Sequence, residues 1–236
     1  MSGEPARFIG VGVGPGDPEL MTLKAVRVVR AAPVIAYPQL GEAPSMARAI
    51  AATHLDGDQR EIVMRVPMRA GRATGAGYDT AAGEIAAALG GGQDVAILCA
   101  GDPLVYGSFI AIWERLHARF ACEIIPGISS IIAGPARLCR PLLRGDACLG
   151  VIPGTLDDAA IERRLAAGGS AVIVKVGRHA GRLRALIARN RLLERAHYIE
   201  RATLAGERMM PLAAFDQETA PYFSMIVIEG EREEAR

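Results

Sequence analysis

Short apolar runs that end on glycine or proline and give way to helical patterns recur through the first half of this chain. No other feature constrains the fold as much. "RFIGVGV", Arg7 to Val13, reads as a buried strand followed by a glycine-rich turn, and Leu20, Leu23, Ala25, Val26, Val28 and Val29 then line one face of a helix. "APVIAYP" is a second strand, and "SMARAIAAT" is a helix capped by Ser45. "REIVMRVPM" is a third strand, "GRATGAG" a polar loop, and residues 78–89 a helix. "DVAILCAGDP" is a buried strand that ends in a tight turn, residues 108–116 are helical, and "CEIIPG" is a fifth strand. Strands and helices alternating at this length imply a parallel sheet covered on both faces.

After Gly127 the pattern changes. A helix starts at Ser129 and runs to Leu138, and "RPLLRGDACLGVIPG" reads as an irregular crossing. "GGSAVIVKVGRH", "AHYIERATL" and "YFSMIVIEG" are β-rich, with helices near 157–166 and 181–189, and the tail "EREEAR" is expected to fray. The 236 residues suffice for one large domain or two small ones. The expectation is an α/β chain of two domains. Residues 1–127 form a mostly parallel sheet flanked by helices, and residues 128–236 a β-rich mixed sheet with helices.

Half of the residues are hydrophobic, 22% are charged and the net charge is +1, which argues against nucleic acid or an acidic membrane as the main partner. Of 27 basic residues only Lys24 and Lys175 are lysines. A GC-rich genome explains that bias, and the planar fork of arginine also suits carboxylates. Cys99, Cys122, Cys139 and Cys148 show no C-x-x-C pair and no metal spacing with histidine; they read as buried apolar residues in a reducing compartment, with no metal site. His54, His117 and His197 fit no motif. "MSGEPARF" lacks the features of a signal peptide, and no apolar stretch approaches the roughly 20 residues of a membrane helix. A cytoplasmic location is expected.

The first glycine turn, "GVGVGPGDPEL", invites comparison with nucleotide-binding loops, which it fails. G-x-G-x-x-G begun at Gly10, Gly12 or Gly14 meets Pro15, Asp17 or Glu19 in the sixth place, and no glycine precedes a lysine. The chemistry agrees. Pro15 has no N–H to offer, and Asp17 and Glu19 would repel phosphate. A plain strand-to-helix turn capped by Asp17 would explain this loop taken alone. However, "CAGDPLVYGS" repeats the theme after another buried strand, and "IPGISS" opens a helix after a third. In an open α/β sheet, ligands sit beyond the carboxyl ends of the strands. Together the three turns suit a compact zwitterionic nucleoside better than a phosphorylated one.

"VGVGPGDPELMTLKAVRVV", "AGDPLVYGSF" and "EIIPGISS" resemble the tetrapyrrole (corrin/porphyrin) methyltransferases, over about Phe8 to Ile228. The resemblance implies two α/β domains with S-adenosylmethionine in the cleft between them, S-adenosylhomocysteine as product, a small-molecule tetrapyrrole as substrate and a homodimer. "VIAYP", "VKVGRH", "IERATLAGERMMPL" and "APYFSMIVI" are most similar to the branch that methylates C-20 of precorrin-2 or its cobalt form. Another precorrin or uroporphyrinogen III is the alternative. Enzymes acting on uroporphyrinogen III typically carry G-G-D-P-F-x-F-G where this chain has "AGDPLVYG", and Ala100 departs from the acidic residue that often precedes that glycine in the C-20 branch. Diphthine synthase shares the family fold but methylates a protein side chain, and a non-catalytic nucleoside-binding regulator is a reading of another class.

On the same resemblance, Pro15, Ala100, Gly101, Asp102, Val105, Ser129 and Ser130 line the cofactor, while Val176 and Ala202 hold its adenine through backbone groups. Core packing is the alternative for Val176 and Ala202. Asp102, Lys175 and Tyr222 are candidates for the catalytic base, with turn capping the alternative for Asp102 and packing for Tyr222. Lys175 stands out because it interrupts the apolar "AVIVKVG", where burial without a carboxylate partner would be costly. Tyr37, Arg178, His179 and Arg201 are candidates for contact with the polycarboxylate substrate, with Arg65, Arg69 and Arg72 on a nearby loop; strand packing is the alternative for Tyr37, and a solvated surface charge for each arginine.

Overall fold

The computed structural model describes residues 5–66 and 74–230. The chain divides into two compact units, Met1–Ser129 and Ser130–Arg236. The first contains β1 (Arg7–Gly12), α1 (Leu23–Ala31), β2 (Val34–Leu40), α2 (Met46–Ala51), β3 (Arg60–Val66), α3 (Thr74–Gly90), β4 (Val95–Cys99), α4 (Phe109–Leu116) and β5 (Ala121–Ile125). Its five strands lie in the order β3-β2-β4-β1-β5, and every pairing is parallel.

The alternation along the central strands explains how both faces are covered. Phe8 of β1 and Val95, Ile97 and Cys99 of β4 pack on one face with Ile85 of α3 and with Phe109 and Ile112 of α4. Ile9, Val11, Ala96 and Leu98 pack on the other with Ala25 and Val29 of α1 and Ile50 of α2. Burial on both faces is why these strands read as continuous apolar runs. It also means that the helix after β1 and the helix after β4 lie on opposite faces, which makes the carboxyl ends of these neighbouring strands the topological switch point of the sheet.

Several local expectations change. Helix α1 starts only at Leu23, because Asp17 caps a separate short 3-10 turn, Pro18–Leu20, and the Thr22 hydroxyl accepts the Ala25 N–H at 3.1 Å. Leu20 therefore precedes the helix, and Leu23 is 84% exposed rather than part of the apolar face. The end of the "GRATGAG" segment is already helical in α3, where glycine at 77 is required: a Cβ there would meet the Arg65 carbonyl oxygen at 2.0 Å. Of the cysteines only Cys99 is buried. Cys122 on the edge strand β5, Cys139 and Cys148 are exposed, since none of them sits between two packed layers.

The second unit contains α5 (Ser130–Arg137), β6 (Leu149–Pro153), α6 (Asp158–Ala166), β7 (Ser170–Val174), α7 (Ala180–Arg189), β8 (Ala196–Glu200), β9 (Arg208–Pro211) and β10 (Ser224–Ile228). The sheet order is β6-β7-β10-β8-β9, with β6 and β7 parallel and the other pairs antiparallel. The mixed sheet expected here is thus present. Part of the expected irregular crossing is the strand β6, disguised because it is an edge strand in which only Ile152 is fully buried.

The first unit is tied across its layers by charge. Glu123 of β5 accepts from Arg7 Nη1 at 2.8 Å and from Lys24 Nζ of α1 at 2.6 Å. The Lys24 hydrogen bond is the main reason its carboxyl is held below the ordinary value of 4.5, with Arg7 adding to it. A carboxyl depressed in the folded state contributes stability that is complete above that ordinary value and is lost as pH falls through the lower folded value. Urea midpoints measured from pH 7 to pH 3 should therefore fall below about pH 4.5, and Glu123→Gln should flatten part of that acid limb. An unchanged limb would contradict the assignment.

Candidate functional site

Three turns leave the carboxyl ends of β1, β4 and β5, adjacent strands of one parallel sheet, and the structure joins them directly. Gly14 and Gly101 form an isolated bridge, Gly101 N–H donating to Gly14 O at 2.6 Å and Gly14 N–H to Gly101 O at 3.4 Å. Asp102 adds the third turn. Its Oδ1 accepts the Leu104 N–H at 2.9 Å and its Oδ2 accepts the Gly127 N–H at 3.0 Å. These contacts need bare backbone. A Cβ on Gly127 would lie 2.2 Å from Gly101 O, and one on Gly12 would lie 2.4 Å from Gly127 N. Both obstacles are main chain, which cannot swing aside.

This cluster gathers Pro15, Ala100, Gly101, Asp102 and Ser129 at one end of the first unit's sheet, at the switch point. Pro15 is half-buried and follows Gly14 (φ 81°). Beyond Asp102 the chain exposes Leu104, Val105 and Tyr106, and Tyr106 holds φ 58°. Because both Asp102 oxygens are engaged by backbone amides, the carboxylate fixes the shape of the two turns. Tyr37 is placed elsewhere. It is 8% exposed in the core, and its hydroxyl donates to Glu61, whose other oxygen accepts from Arg48 Nη2 at 3.0 Å. Arg65 is exposed on β3, and Arg69 and Arg72 lie outside the described residues.

In the second unit β10 runs antiparallel to both β7 and β8 and lies between them, so the ends of β7 and β8 and the start of β10 share one end of the sheet. Lys175 and Val176, Arg201 and Ala202, and Tyr222 all emerge there. Strand β7 stops at Val174, so Lys175 does not interrupt it; the lysine is exposed, with φ 57°, and does not meet the desolvation cost expected from the sequence. Val176 is fully buried and Ala202 is 7% exposed, each in a packed cluster. Their side chains belong to the core, and only backbone groups are available for recognition. Arg178 is exposed on the short turn Gly177–His179, and its Nε donates to His179 Nε2 at 3.4 Å. Burial, then Arg182 and Arg178, lower the His179 pKa from 6.5, so near neutral pH its ring is an uncharged acceptor. Tyr222 is 68% exposed and stacks edge-to-face with Phe223, ring centroids 5.0 Å apart, while Phe223 O accepts the Arg201 N–H at 2.8 Å. Ser130 opens α5, away from these strand ends in sequence.

Backbone strain marks the same segments. Six described non-glycine residues have positive φ. Cys139 and Arg191 follow the ends of α5 and α7, where left-handed residues are ordinary. The other four are Tyr106, Lys175, Arg201 and Thr203, with φ between 53° and 67°, all in or beside the turns described above. Each such conformation costs of the order of 1–3 kcal/mol and persists only where surrounding contacts impose it. No glycine announces these positions in the sequence, so sequence reasoning missed Tyr106 and Thr203 altogether. Among the described residues no group of three His, Cys, Asp or Glu is arranged to hold a metal, and no helix is long and apolar enough to cross a membrane.

A parallel five-stranded sheet followed by a mixed five-stranded sheet, each with its helices, is an architecture shared with known enzymes. The chain belongs to the tetrapyrrole (corrin/porphyrin) methylases, whose family model matches residues 7–215. It is 40% identical over 235 residues to the cobalamin biosynthesis protein CobIJ of Mycobacterium tuberculosis, covering 96% of this chain and 46% of that protein, so the chain spans about half the length of that relative. It is 39% identical over 233 residues to the precorrin-2 C(20)-methyltransferase of a Sinorhizobium species, with 95% of each chain covered. Its fold matches that of the uroporphyrin-III C-methyltransferase from Thermus thermophilus complexed with S-adenosylhomocysteine, at a TM-score of 0.66 and 21% identity over 95% of this chain and 98% of that one.

The close backbone packing yields a direct test. Gly127→Ala should destabilise the protein by about 1–3 kcal/mol or more, whereas Gly83→Ala in α3, where a Cβ meets nothing within 4 Å, should be neutral or stabilising. Urea unfolding of both variants checks this. Equal stabilities would mean that the three turns are not in contact as described.

Proposed function

We propose that this chain transfers a methyl group from S-adenosylmethionine to C-20 of precorrin-2, or of its cobalt complex, giving precorrin-3A and S-adenosylhomocysteine in cobalamin biosynthesis. The observation that carries the reading is the end-to-end likeness to an enzyme named for that reaction. In the same reading residues 1–127 and 128–236 act as two domains of a cytoplasmic homodimer.

The residues present fit the donor. The first unit's turns present Asp17, Glu19 and Asp102 with no lysine or arginine, a combination that disfavours pyrophosphate and accepts a cationic sulfonium. The donor, when bound, supplies a methyl group already activated by its positive sulfur. This chain's contribution is therefore orientation: holding the ring carbon in line with the methyl group accounts for up to about 7–11 kcal/mol of barrier lowering. Pro15, Ala100, Gly101 and Val105 are assigned to the wall against the donor, with Ser129 and Ser130 supplying polar groups. Asp102 positions that wall. The backbone of Val176 and Ala202 is assigned to the adenine. Arg178 and Arg201 are assigned to substrate carboxylates through charge-assisted hydrogen bonds, and His179 accepts a hydrogen bond as a neutral ring. Lys175 and Tyr222, both exposed at the sheet end, are assigned to the substrate and to the proton that leaves C-20.

Incubation with precorrin-2 and, separately, cobalt-precorrin-2, each with methyl-labelled S-adenosylmethionine, tests the reading. The label should appear on C-20 of one or both substrates. A label at another ring position, or turnover only of uroporphyrinogen III or a later precorrin, would move the chain to another member of the family. Binding of S-adenosylmethionine without turnover of any tetrapyrrole would favour a nucleoside-binding regulator instead.

A further inference from the structure

Arg137 is the last residue of α5, and Glu207 closes the loop that follows β8. Arg137 Nε donates to both Glu207 oxygens, at 3.0 Å and 3.1 Å, and its Nη2 donates to Oε1 at 2.9 Å. Glu207 Oε2 also accepts the backbone N–H of Thr203 at 2.6 Å. The loop is closed from within, as Leu204 N–H donates to Arg201 O at 2.9 Å and Glu207 N–H to Leu204 O at 3.1 Å. Ile131 of α5 and Ala202 of the loop share one packed cluster.

A surface Arg–Glu pair alone contributes little to stability, so this arrangement calls for a different account. The Glu207 side chain is 15% exposed, it binds the guanidinium in a fork, and its remaining partner is the amide of a β-branched residue in the left-handed region. Arg201 and Thr203 flank Ala202, and both hold positive φ. Nothing intrinsic to threonine favours that shape, and in this loop the Glu207 carboxylate is what grips its N–H.

We propose that Arg137 and Glu207 form a positioning clamp that holds the Arg201–Thr203 turn in its left-handed shape and so sets the affinity of this chain for the nucleoside end of the methyl donor. The proposal rests on the reading above, in which the Ala202 backbone meets the adenine. Glu207 acts through the Thr203 amide and Arg137 acts through Glu207. The hydrogen bond from Arg137 is the main reason the Glu207 carboxyl stays below its ordinary value of 4.5, so the acceptor is anionic at neutral pH.

Calorimetric titration of the full chain with S-adenosylhomocysteine provides the test, with circular dichroism melts as the check on folding. Glu207→Ala should weaken binding by about ten-fold or more, as expected for loss of a hydrogen bond to a charged group. Arg137→Ala should weaken it less, and the double variant should bind no more weakly than Glu207→Ala alone, since the arginine has no separate route to the turn. Glu207→Gln keeps an acceptor for Thr203 and should recover part of the loss. In the methylation assay the KM for the donor should rise, and because Arg201 lies in the same turn the KM for precorrin-2 should rise with it, while kcat with both substrates saturating falls by less than the donor KM rises. Failure of the wild-type chain to bind S-adenosylhomocysteine would sink the underlying reading. Wild-type binding with unchanged affinity in folded Arg137→Ala and Glu207→Gln would overturn the clamp alone, even if Glu207→Ala did not fold. A lower melting temperature with unchanged affinity would likewise reduce the pair to a structural brace.

Discussion

The contact of Gly12, Gly101 and Gly127 at the end of the first sheet is the constraint on which the site depends. Three chain segments approach there more closely than any side chain permits, and Asp102 ties two of them, its own turn and the Gly127 turn, with its two carboxylate oxygens. Because β1 and β4 send their helices to opposite faces, the sheet opens at this point, and the turns that leave it are held as one body. Every residue assigned to the donor in the first unit hangs from that knot. For the methyl transfer proposed above, which relies on orientation, such stiffness matters more than a reactive side chain.

The second unit reaches a comparable end by other means. Its strand ends carry Lys175, Arg201 and Thr203 in a conformation that glycine would adopt without cost. The side chains of Val176 and Ala202 are turned into the core, which leaves their amides and carbonyls as the groups proposed for recognition. Two sheets therefore present main chain: one by stripping side chains away, the other by forcing side chains into an unfavourable backbone region and bracing them.

Legibility followed burial. β1, β4 and the helices of the first unit could be read because packing on two faces writes continuous apolar runs and helical stripes, and the three strand-end motifs could be read because glycine and proline are the local requirement. The strands β6 and β9 were not read as strands: both lie at sheet edges, mostly unburied, so their sequences carry no alternation. Leu23 and three of the cysteines were assigned to the interior on residue type alone, which is a weaker guide than position. The left-handed residues have no sequence signature, and Arg137 and Glu207 are 70 positions apart. Nothing local connects them.

Cys99 ends β4, three positions before Asp102, with its thiol buried in the same core cluster as Phe109 and pushed up to about 12, mainly by burial. Reagents that attack thiols act on the thiolate, so this sulfur is inert while the sheet is closed, whereas Cys139 and Cys148 stand in the open. The chain thus carries its own clock. The rate at which a thiol reagent alkylates Cys99 measures how often the central strand under the glycine knot comes apart, at a position native to the fold.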